Sequence, residues 1–227
     1  MSEIEETAKA TQEVAKTTNK ALEVGEKFGR FIAKYIGGTL EQGFGIWEDK
    51  LKYIRWENQY KLMTKANNLL KERGLLDNIK PLPLKVAIPL FEKASLEDDD
   101  YLQNLWTNLL VNSVTPNMEI DLNKTYINIL EQLSPLEAQT LMVIYSIDDE
   151  SYRTSIETFG LPEYITYHSN NTESKDIKEP NDSIKLVLEN LLRLGCISLA
   201  TLTIGGGQSY GLIHQTLLGK KLTNSLK

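Results

Sequence analysis

Apolar and small residues recur at helical spacing through the first third of the chain. Residues 3–36 lack proline and are rich in Ala, Glu and Lys, which predicts one long helix. A second helix is predicted from Ile46 to Arg73, because its apolar residues share one face and Gly74 follows as a stop. The two prolines within residues 79–85 then predict an extended linker.

Shorter helical segments are predicted through the middle of the chain. Residues 89–92 predict a short helix or turn. Ser95 and the acidic residues after it predict the start of a helix through Val111, since carboxylates favour the positive end of a helix dipole. A further helix is predicted at 126–133, before a new one that runs from Ser134 to about Ile147. Its start is marked by a capping box with Glu137 and by a proline in the first turn.

The last third of the chain contains the strand-like patterns. After a short helix predicted at 151–159, a polar stretch predicts an exposed loop, and Asp182 or Ser183 then caps a helix through Leu194. Two apolar runs, 197–204 and 210–218, flank a triple glycine and predict a β-hairpin. Three helices followed by a hairpin resemble a winged helix, a fold that binds either DNA or proteins.

These elements predict a mainly α protein in two parts. Residues 1–133 form a helical body, with an N-terminal helical hairpin at 3–74 and an acidic helical segment at 89–133. Residues 134–227 form a C-terminal winged-helix-like α+β module with a β-hairpin and the polar loop 168–182. With 227 residues, 41% of them hydrophobic and 25% charged, the chain is large and apolar enough to form such cores.

Small residues recur at every fourth position of the first helix. This small-residue stripe consists of Ala21, Gly25, Gly29, Ala33 and Gly37. It would let another helix approach closely, so we interpret it as a helix-packing or partner surface and expect self-association or a protein partner. Within the surrounding Gly-rich hairpin, 25–47, the stretch from Phe28 to Trp47 is the most membrane-like part of the chain, but Arg30, Lys34 and Glu41 argue against a transmembrane span.

The charge and the cysteine content indicate which partners and which cellular compartment to expect. The net charge of −6 and the uncharged glycine turn disfavour nucleic-acid binding, since the helix before that turn offers only Lys185 and Arg193. Lysines on the second helix are interpreted as a solvated face, with a nucleic-acid or lipid contact as the alternative. Cys196 lies in an apolar run without a disulfide partner, and the chain begins without a secretory signal pattern, so we expect a cytoplasmic protein.

Catalytic and cofactor motifs are not evident. His168 and His214 lack partners at the spacing of a metal site or an activated nucleophile. Gly205–Gly207 lacks the Lys-Ser/Thr pair of a phosphate-binding loop, and the carboxylates at 97–100 lack a second cluster of metal ligands. We therefore expect a protein that is not an enzyme and that holds no metal and no cofactor.

A longer series of residues carries a resemblance to a known family through its order and spacing. The series begins with the glycine-bearing segment before Trp47 and continues with Asp49, Arg55, Asn58, Pro83, Lys85, Pro89, Glu97, Asp98, Leu102, Trp106, Leu109, Leu110, Leu130, Gln132, Leu133, Ser134, Pro135 and Ala138. Over about residues 20 to 200 the chain resembles the abortive infection alpha family, a bacterial family associated with phage resistance. The resemblance implies a host-protective role and supplies no catalytic residues.

Three polar positions of that series, Asp49, Arg55 and Asn58, fall on the predicted second helix. Residues 55 and 58 can share a face, so we interpret the set as a polar network or ion pairs rather than an active site. Three functions follow, in order of preference: a phage-defence protein that acts through protein–protein interaction, a membrane-perturbing effector that uses hairpin 25–47, and a winged-helix DNA-binding regulator.

Overall fold

The computed structural model describes residues 3–115, 120–147, 154–168, 177–200 and 209–227, with the backbone alone described at 3–18, 21 and 120–123. The chain divides into two compact units, Met1–Ile127 and Asn128–Lys227, whereas the boundary predicted from the sequence lies between 133 and 134. Helices predominate among the described residues, and a small antiparallel sheet lies in the second unit. This arrangement confirms the mainly α class with a C-terminal α+β module.

The described part of the first unit consists of helices. They are α1 (Glu3–Ile36), α2 (Leu40–Ile46) with a π-helical turn (Trp47–Leu51) after it, α3 (Trp56–Glu72), α4 (Leu84–Leu96), α5 (Asp100–Ser113) and α6 (Ile120–Leu130), which crosses into the second unit. The bounds predicted for the first helix are confirmed. Gly37 ends it with a φ of +62°, a backbone conformation that glycine adopts without strain.

The prediction of one continuous helix over 46–73 is wrong, because residues 52–55 leave the helix between the π-helical turn and α3. In a continuous helix the Leu51 carbonyl would accept a hydrogen bond from the backbone N–H of Arg55. Here it accepts one from the backbone N–H of Ile54 at 3.0 Å and one from the side-chain amide of Gln59 at 2.6 Å. A partner later in the sequence therefore stabilises a break that no glycine or proline marks.

The predictions for α4, α5 and α6 also need correction. α4 begins at Leu84, inside the predicted linker, and extends well beyond 89–92. Pro89 lies inside it, and burial of its apolar face outweighs the backbone hydrogen bond that proline cannot make. The N-cap of α5 is Asp99, which accepts from two backbone N–H groups, whereas Ser95 is buried in α4. α6 lies earlier than the predicted helix 126–133.

Phe91 of α4 lies in an aromatic cluster within the core of the first unit. Its ring centroid lies 6.0 Å from that of Phe28, 5.8 Å from that of Phe31 and 5.7 Å from that of Tyr35, all on α1. Trp106 of α5 is also buried, as predicted from its position on the inner face of that helix. The long first helix is therefore part of this core.

The second unit places a small sheet among short helices. Its elements after α6 are α7 (Pro135–Ile144), β1 (Ile156–Glu157), β2 (Thr166–Tyr167), α8 (Asp182–Arg193), β3 (Ile197–Leu199), β4 (Leu212–Gln215) and α9 (Leu217–Ser225). The strand order is β2-β1-β4-β3, and neighbouring strands are antiparallel. Both hydrogen bonds of the predicted capping box between Ser134 and Glu137 are present at the start of α7.

The prediction of a helix at 151–159 is wrong where the structure describes it. Ile156 and Glu157 form a strand that pairs with β2 on one side and β4 on the other, and the backbone N–H of Thr158 donates to the carbonyl of Gly211 at 3.1 Å. These partners are distant in sequence, so local helix propensity did not reveal them. Residues 151–153 lie outside the described part, and the three consecutive helices predicted before the hairpin are not found in the described residues.

The predicted β-hairpin is described only at its strands. β3 and β4 are antiparallel, with Ile197 opposite Gln215, while Gly205–Gly207 and most of the loop 168–182 lie outside the described residues. The second strand ends well before Leu218. The side chain of Thr216 accepts from the backbone N–H of Gly219 and starts α9, a helix that the strand prediction missed.

Candidate functional site

Two positions of the small-residue stripe lie where α2 crosses α1 at short range. A Cβ atom built on Gly29 would lie 3.0 Å from Phe44 Cα, closer than side chains normally approach backbone. On the opposite helix, a Cβ built on Gly43 would lie 2.7 Å from the backbone nitrogen of Ala33. The two helix backbones can therefore approach this closely only because small residues face each other.

The remaining stripe positions differ in their surroundings. A Cβ on Gly25 would overlap the Trp47 ring, lying 2.7 Å from Cε2. Gly37 lies beyond the end of α1, where a Cβ would lie 2.8 Å from Pro81 Cγ. The side chain of Ala21 is outside the described part of the chain. Within the described part of the stripe, Gly25, Gly29 and Ala33 thus line the contact with α2 and the turn that follows it.

A buried amide, Gln59, joins this hairpin to α3. Its Oε1 accepts from Trp47 Nε1 at 2.8 Å, its Nε2 donates to the Leu51 carbonyl at 2.6 Å, and the side chain is 1% exposed. Gln59 is not among the residues predicted from the sequence to form a site. The available signal was its spacing, since it lies three residues before Leu62 on the apolar stripe of α3 and so occupies an apolar position with a polar group.

Two of the three polar positions singled out in the sequence, Arg55 and Asn58, meet just before the start of α5. Arg55 Nη1 lies 3.3 Å from Asp98 Oδ1, and Asn58 Nδ2 donates to the same oxygen at 2.8 Å. Asp49 is exposed in the π-helical turn, which the break at 52–55 separates from α3. The interpretation of a polar network therefore applies to Arg55 and Asn58, with Asp98 as their shared acceptor.

A second group of charges lies further along the same pair of helices. Lys61 Nζ is 3.3 Å and Lys65 Nζ is 3.9 Å from Asp100 Oδ1. Burial lowers the pKa of Lys65, and the Asp100 carboxylate acts in the opposite direction. The Asp100 side chain is largely exposed, and ion pairs of this kind contribute about 0–1 kcal/mol each. They therefore add only a weak contact between α3 and α5.

An open apolar groove of about 430 Å³ lies beside the α1–α2 contact. Its lining residues are Leu22 and Glu26 of α1 and Leu40, Glu41 and Phe44 of α2. Leu22 is 56% exposed and Leu40 43% exposed, which is unusual for large aliphatic side chains placed close together. The groove therefore combines an apolar floor with two carboxylates at its rim.

The histidines and the cysteine of the second unit occupy structural positions. His168 Nδ1 lies 3.1 Å from Glu157 Oε1, which joins β2 to β1. His214 lies in β4 directly opposite Ser198 in β3. Cys196 is fully buried, and burial raises the pKa of its thiol to about 12, so the reactive thiolate is disfavoured at neutral pH.

The two basic groups of α8, the helix that a winged-helix DNA contact would use, already have protein partners. Lys185 Nζ lies 3.7 Å from Glu179 Oε2. Arg193 Nη2 donates to Gln132 Oε1 at 2.9 Å and to Asn190 Oδ1 at 2.6 Å. Both cations of α8 would thus have to exchange these partners to contact a phosphate.

The described ranges contain neither a cluster of metal ligands nor a membrane-spanning helix. Across those ranges, no three His, Cys, Asp or Glu side chains are grouped so that they could hold a metal ion, the run 97–100 included. In the same part of the chain, every helix is too short or too polar to cross a bilayer.

Comparison with known proteins adds one match. The model of the family described as Abortive infection alpha matches residues 57–227, which include Asn58 and Asp98 of the polar contact and the whole second unit. No curated protein and no solved structure matches the chain. Since the matched segment makes up most of the 227 residues, the chain belongs to the abortive infection alpha family.

Proposed function

We propose that this protein defends its bacterial host against phage by binding another protein through the α1–α2 hairpin, in the cytoplasm and without catalysing a reaction. The match to the abortive infection alpha family over residues 57–227 is the observation that carries the defence role. The mode of action is argued from the groove beside the hairpin, which offers an apolar surface on a closely packed support.

The groove favours a partner segment of particular chemistry. Leu22, Leu40 and Phe44 can receive apolar side chains. The free energy falls when a partner removes this exposed aliphatic surface from water. Glu41 at the rim favours a basic residue at the edge of that segment, whereas Glu26 is already paired with Arg30. An amphipathic helix with an apolar stripe and a flanking lysine or arginine fits these requirements.

The two alternative functions have less support. A membrane-perturbing hairpin would have to give up the close contact of Gly29 with Phe44, and it would bring Arg30 and Lys34 into hydrocarbon. A DNA-binding module would have to release Arg193 from the side chains that it now contacts. The protein-binding proposal requires neither change.

The proposal is tested by phage challenge of cells that express the parent or the double variant Leu22→Lys, Leu40→Lys. Both substitutions lie on exposed positions, so the variant should fold and accumulate normally while the groove loses its apolar character. We expect the parent to lower the efficiency of plating for at least one phage in a panel and the variant to lose most of that protection.

The matched control is Leu84→Lys with Leu96→Lys, two similarly exposed leucines of the same unit that lie outside the groove. This control should protect as the parent does. A parent that protects against no phage would contradict the defence role itself. A groove variant that protects fully would leave the defence role standing and contradict the protein-contact mechanism.

A further inference from the structure

The segment 50–56, which connects α2 and its π-helical turn to α3, has an unusual composition for an exposed turn. Its sequence is Lys-Leu-Lys-Tyr-Ile-Arg-Trp, with three cations and no acidic residue. Leu51 is buried and anchors the segment, whereas Lys50, Lys52, Tyr53 and Arg55 are exposed. Within these seven residues, exposed cations therefore lie beside apolar surface.

Tyr53 is the most exposed large side chain of this turn, with 88% of its surface accessible. The Lys52 ammonium lies 5.2 Å from the centroid of the Tyr53 ring, and Ile54 beside it is half-buried. The Lys20 ammonium, from α1, lies 4.9 Å from the ring centroid of Trp56. Aromatic rings are thus paired with lysines at two adjacent places, and one of these rings projects into water.

We propose that segment 50–56 docks the protein onto the surface of an anionic lipid bilayer. Tyrosine and tryptophan favour the boundary between headgroups and acyl chains, because one part of the ring system is apolar and another is polar. Lysines beside them place their ammonium groups among anionic headgroups while their methylene stems cover apolar surface. This contact lies at the membrane surface and needs no spanning helix.

Nearby acidic groups weaken the attraction of this segment to anionic headgroups. Glu48 and Asp49 precede the segment, Glu57 follows it, and Asp98 contacts Arg55. Lys50 and Lys52 therefore supply most of the attraction to headgroups, and Tyr53 and Ile54 must supply the rest. A polynucleotide fits less well, because Lys52 lies over the Tyr53 ring on which a base would stack.

The inference goes beyond the proposed function and does not depend on it. It is tested with the full chain and vesicles of phosphatidylcholine alone or with about one third phosphatidylglycerol, by flotation. We expect binding to the anionic vesicles only, and a salt-dependent loss of about fivefold in affinity or more for each lysine reversed in Lys50→Glu and Lys52→Glu. Tyr53→Ala should also weaken binding several-fold. The charge-matched control, Lys71→Glu with Lys85→Glu, should bind as the parent does.

A second measurement reports the depth of the turn. An environment-sensitive dye on Tyr53→Cys should shift to the blue on anionic vesicles, and the same dye on Tyr164→Cys, an exposed tyrosine of the second unit, should not. Absence of vesicle binding, equal binding to neutral vesicles, or full binding by the variants of Lys50 and Lys52 would each overturn the proposal. So would tighter binding to a single-stranded oligonucleotide that the same variants abolish.

Discussion

A single side chain, Gln59, stabilises the local conformation of the backbone before α3. The amide group bonds the Trp47 indole with its oxygen and the Leu51 carbonyl with its nitrogen, so a single residue satisfies a donor and an acceptor of the preceding segment. Buried polar groups without partners are costly, and this double contact therefore favours the break at 52–55 over a continuous helix.

We expect Gln59→Ala to destabilise the protein by about 2–4 kcal/mol, because the buried Trp47 indole loses its acceptor, the Leu51 carbonyl loses one of its two donors, and a small cavity forms. Denaturant unfolding followed by tryptophan fluorescence would measure the change, with Gln139→Ala, an exposed glutamine of α7, as the control. If Gln59→Ala unfolds at the same denaturant concentration as the parent, the amide does not stabilise the break.

Cys196 carries the second prediction at this scale. Burial raises its pKa from 9.0 to about 12, so the folded state keeps the thiol protonated over a range in which the unfolded chain loses the proton. The stabilisation is complete below the unfolded pKa and is lost as pH rises toward 12, with a slope of up to about 1.4 kcal/mol per pH unit.

Two measurements check this prediction. Iodoacetamide should modify Cys196 at pH 8 only after denaturant is added, and the fall in unfolding free energy above pH 9 should be shallower in Cys196→Ala than in the parent. Rapid alkylation of the folded protein would show that the thiol is accessible.

At the scale of elements, the sequence predicts what local chemistry determines. Ser134 and Glu137 mark the start of α7 because both halves of the capping box lie within four residues, and Gly37 marks the end of α1 because it adopts a positive φ. β1 escapes prediction because its partners lie some ten and more than fifty residues away.

The candidate site could be predicted only in part. The resemblance identified Arg55, Asn58 and Asp98 but not the contacts between them. Gln59 was missed because the spacing of apolar residues does not show which buried polar groups pair with each other.

A graded glycine series tests the α1–α2 contact. Gly45→Ala should stabilise the protein by up to about 1 kcal/mol, because a Cβ there meets nothing and alanine favours a helix. Gly29→Ala should destabilise it moderately and Gly29→Leu by about 1–3 kcal/mol or more, because Phe44 must move. Gly43→Ala should be the most harmful alanine, since its Cβ would contact the carbonyl oxygen of Gly29. Thermal melts would rank the four variants, and equal melting temperatures would contradict the close contact.

At the scale of the whole molecule, the segment that the family model matches begins at a different residue from the first compact unit. The matched segment begins at Glu57, after α1 and α2, yet Phe91 inside it contacts three aromatic residues of α1. Gln59 likewise takes a hydrogen bond from Trp47. The part of the first unit that the family model covers therefore lacks a large portion of its own core.

We expect a fragment of residues 57–227 to lose the cooperative unfolding of the first unit, because Phe91 and its neighbours would face water. Limited proteolysis and the emission maximum of Trp106 would report this loss. Supplying residues 1–56 as a separate chain should restore protection and a buried tryptophan spectrum. A fragment that resists protease as the full chain does would show that α1 is dispensable for that core.

The contact between Gly25 and the Trp47 ring also constrains which substitutions homologues of this protein can accept at these two positions. A methyl group at position 25 has no room while the indole is present, and a smaller ring at position 47 leaves a void unless position 25 grows. Substitutions at the two positions should therefore compensate for each other, so that Gly25→Ala with Trp47→Phe is less harmful than the two single changes together suggest. Homologues that retain α1 and α2 should accordingly vary these two positions in concert.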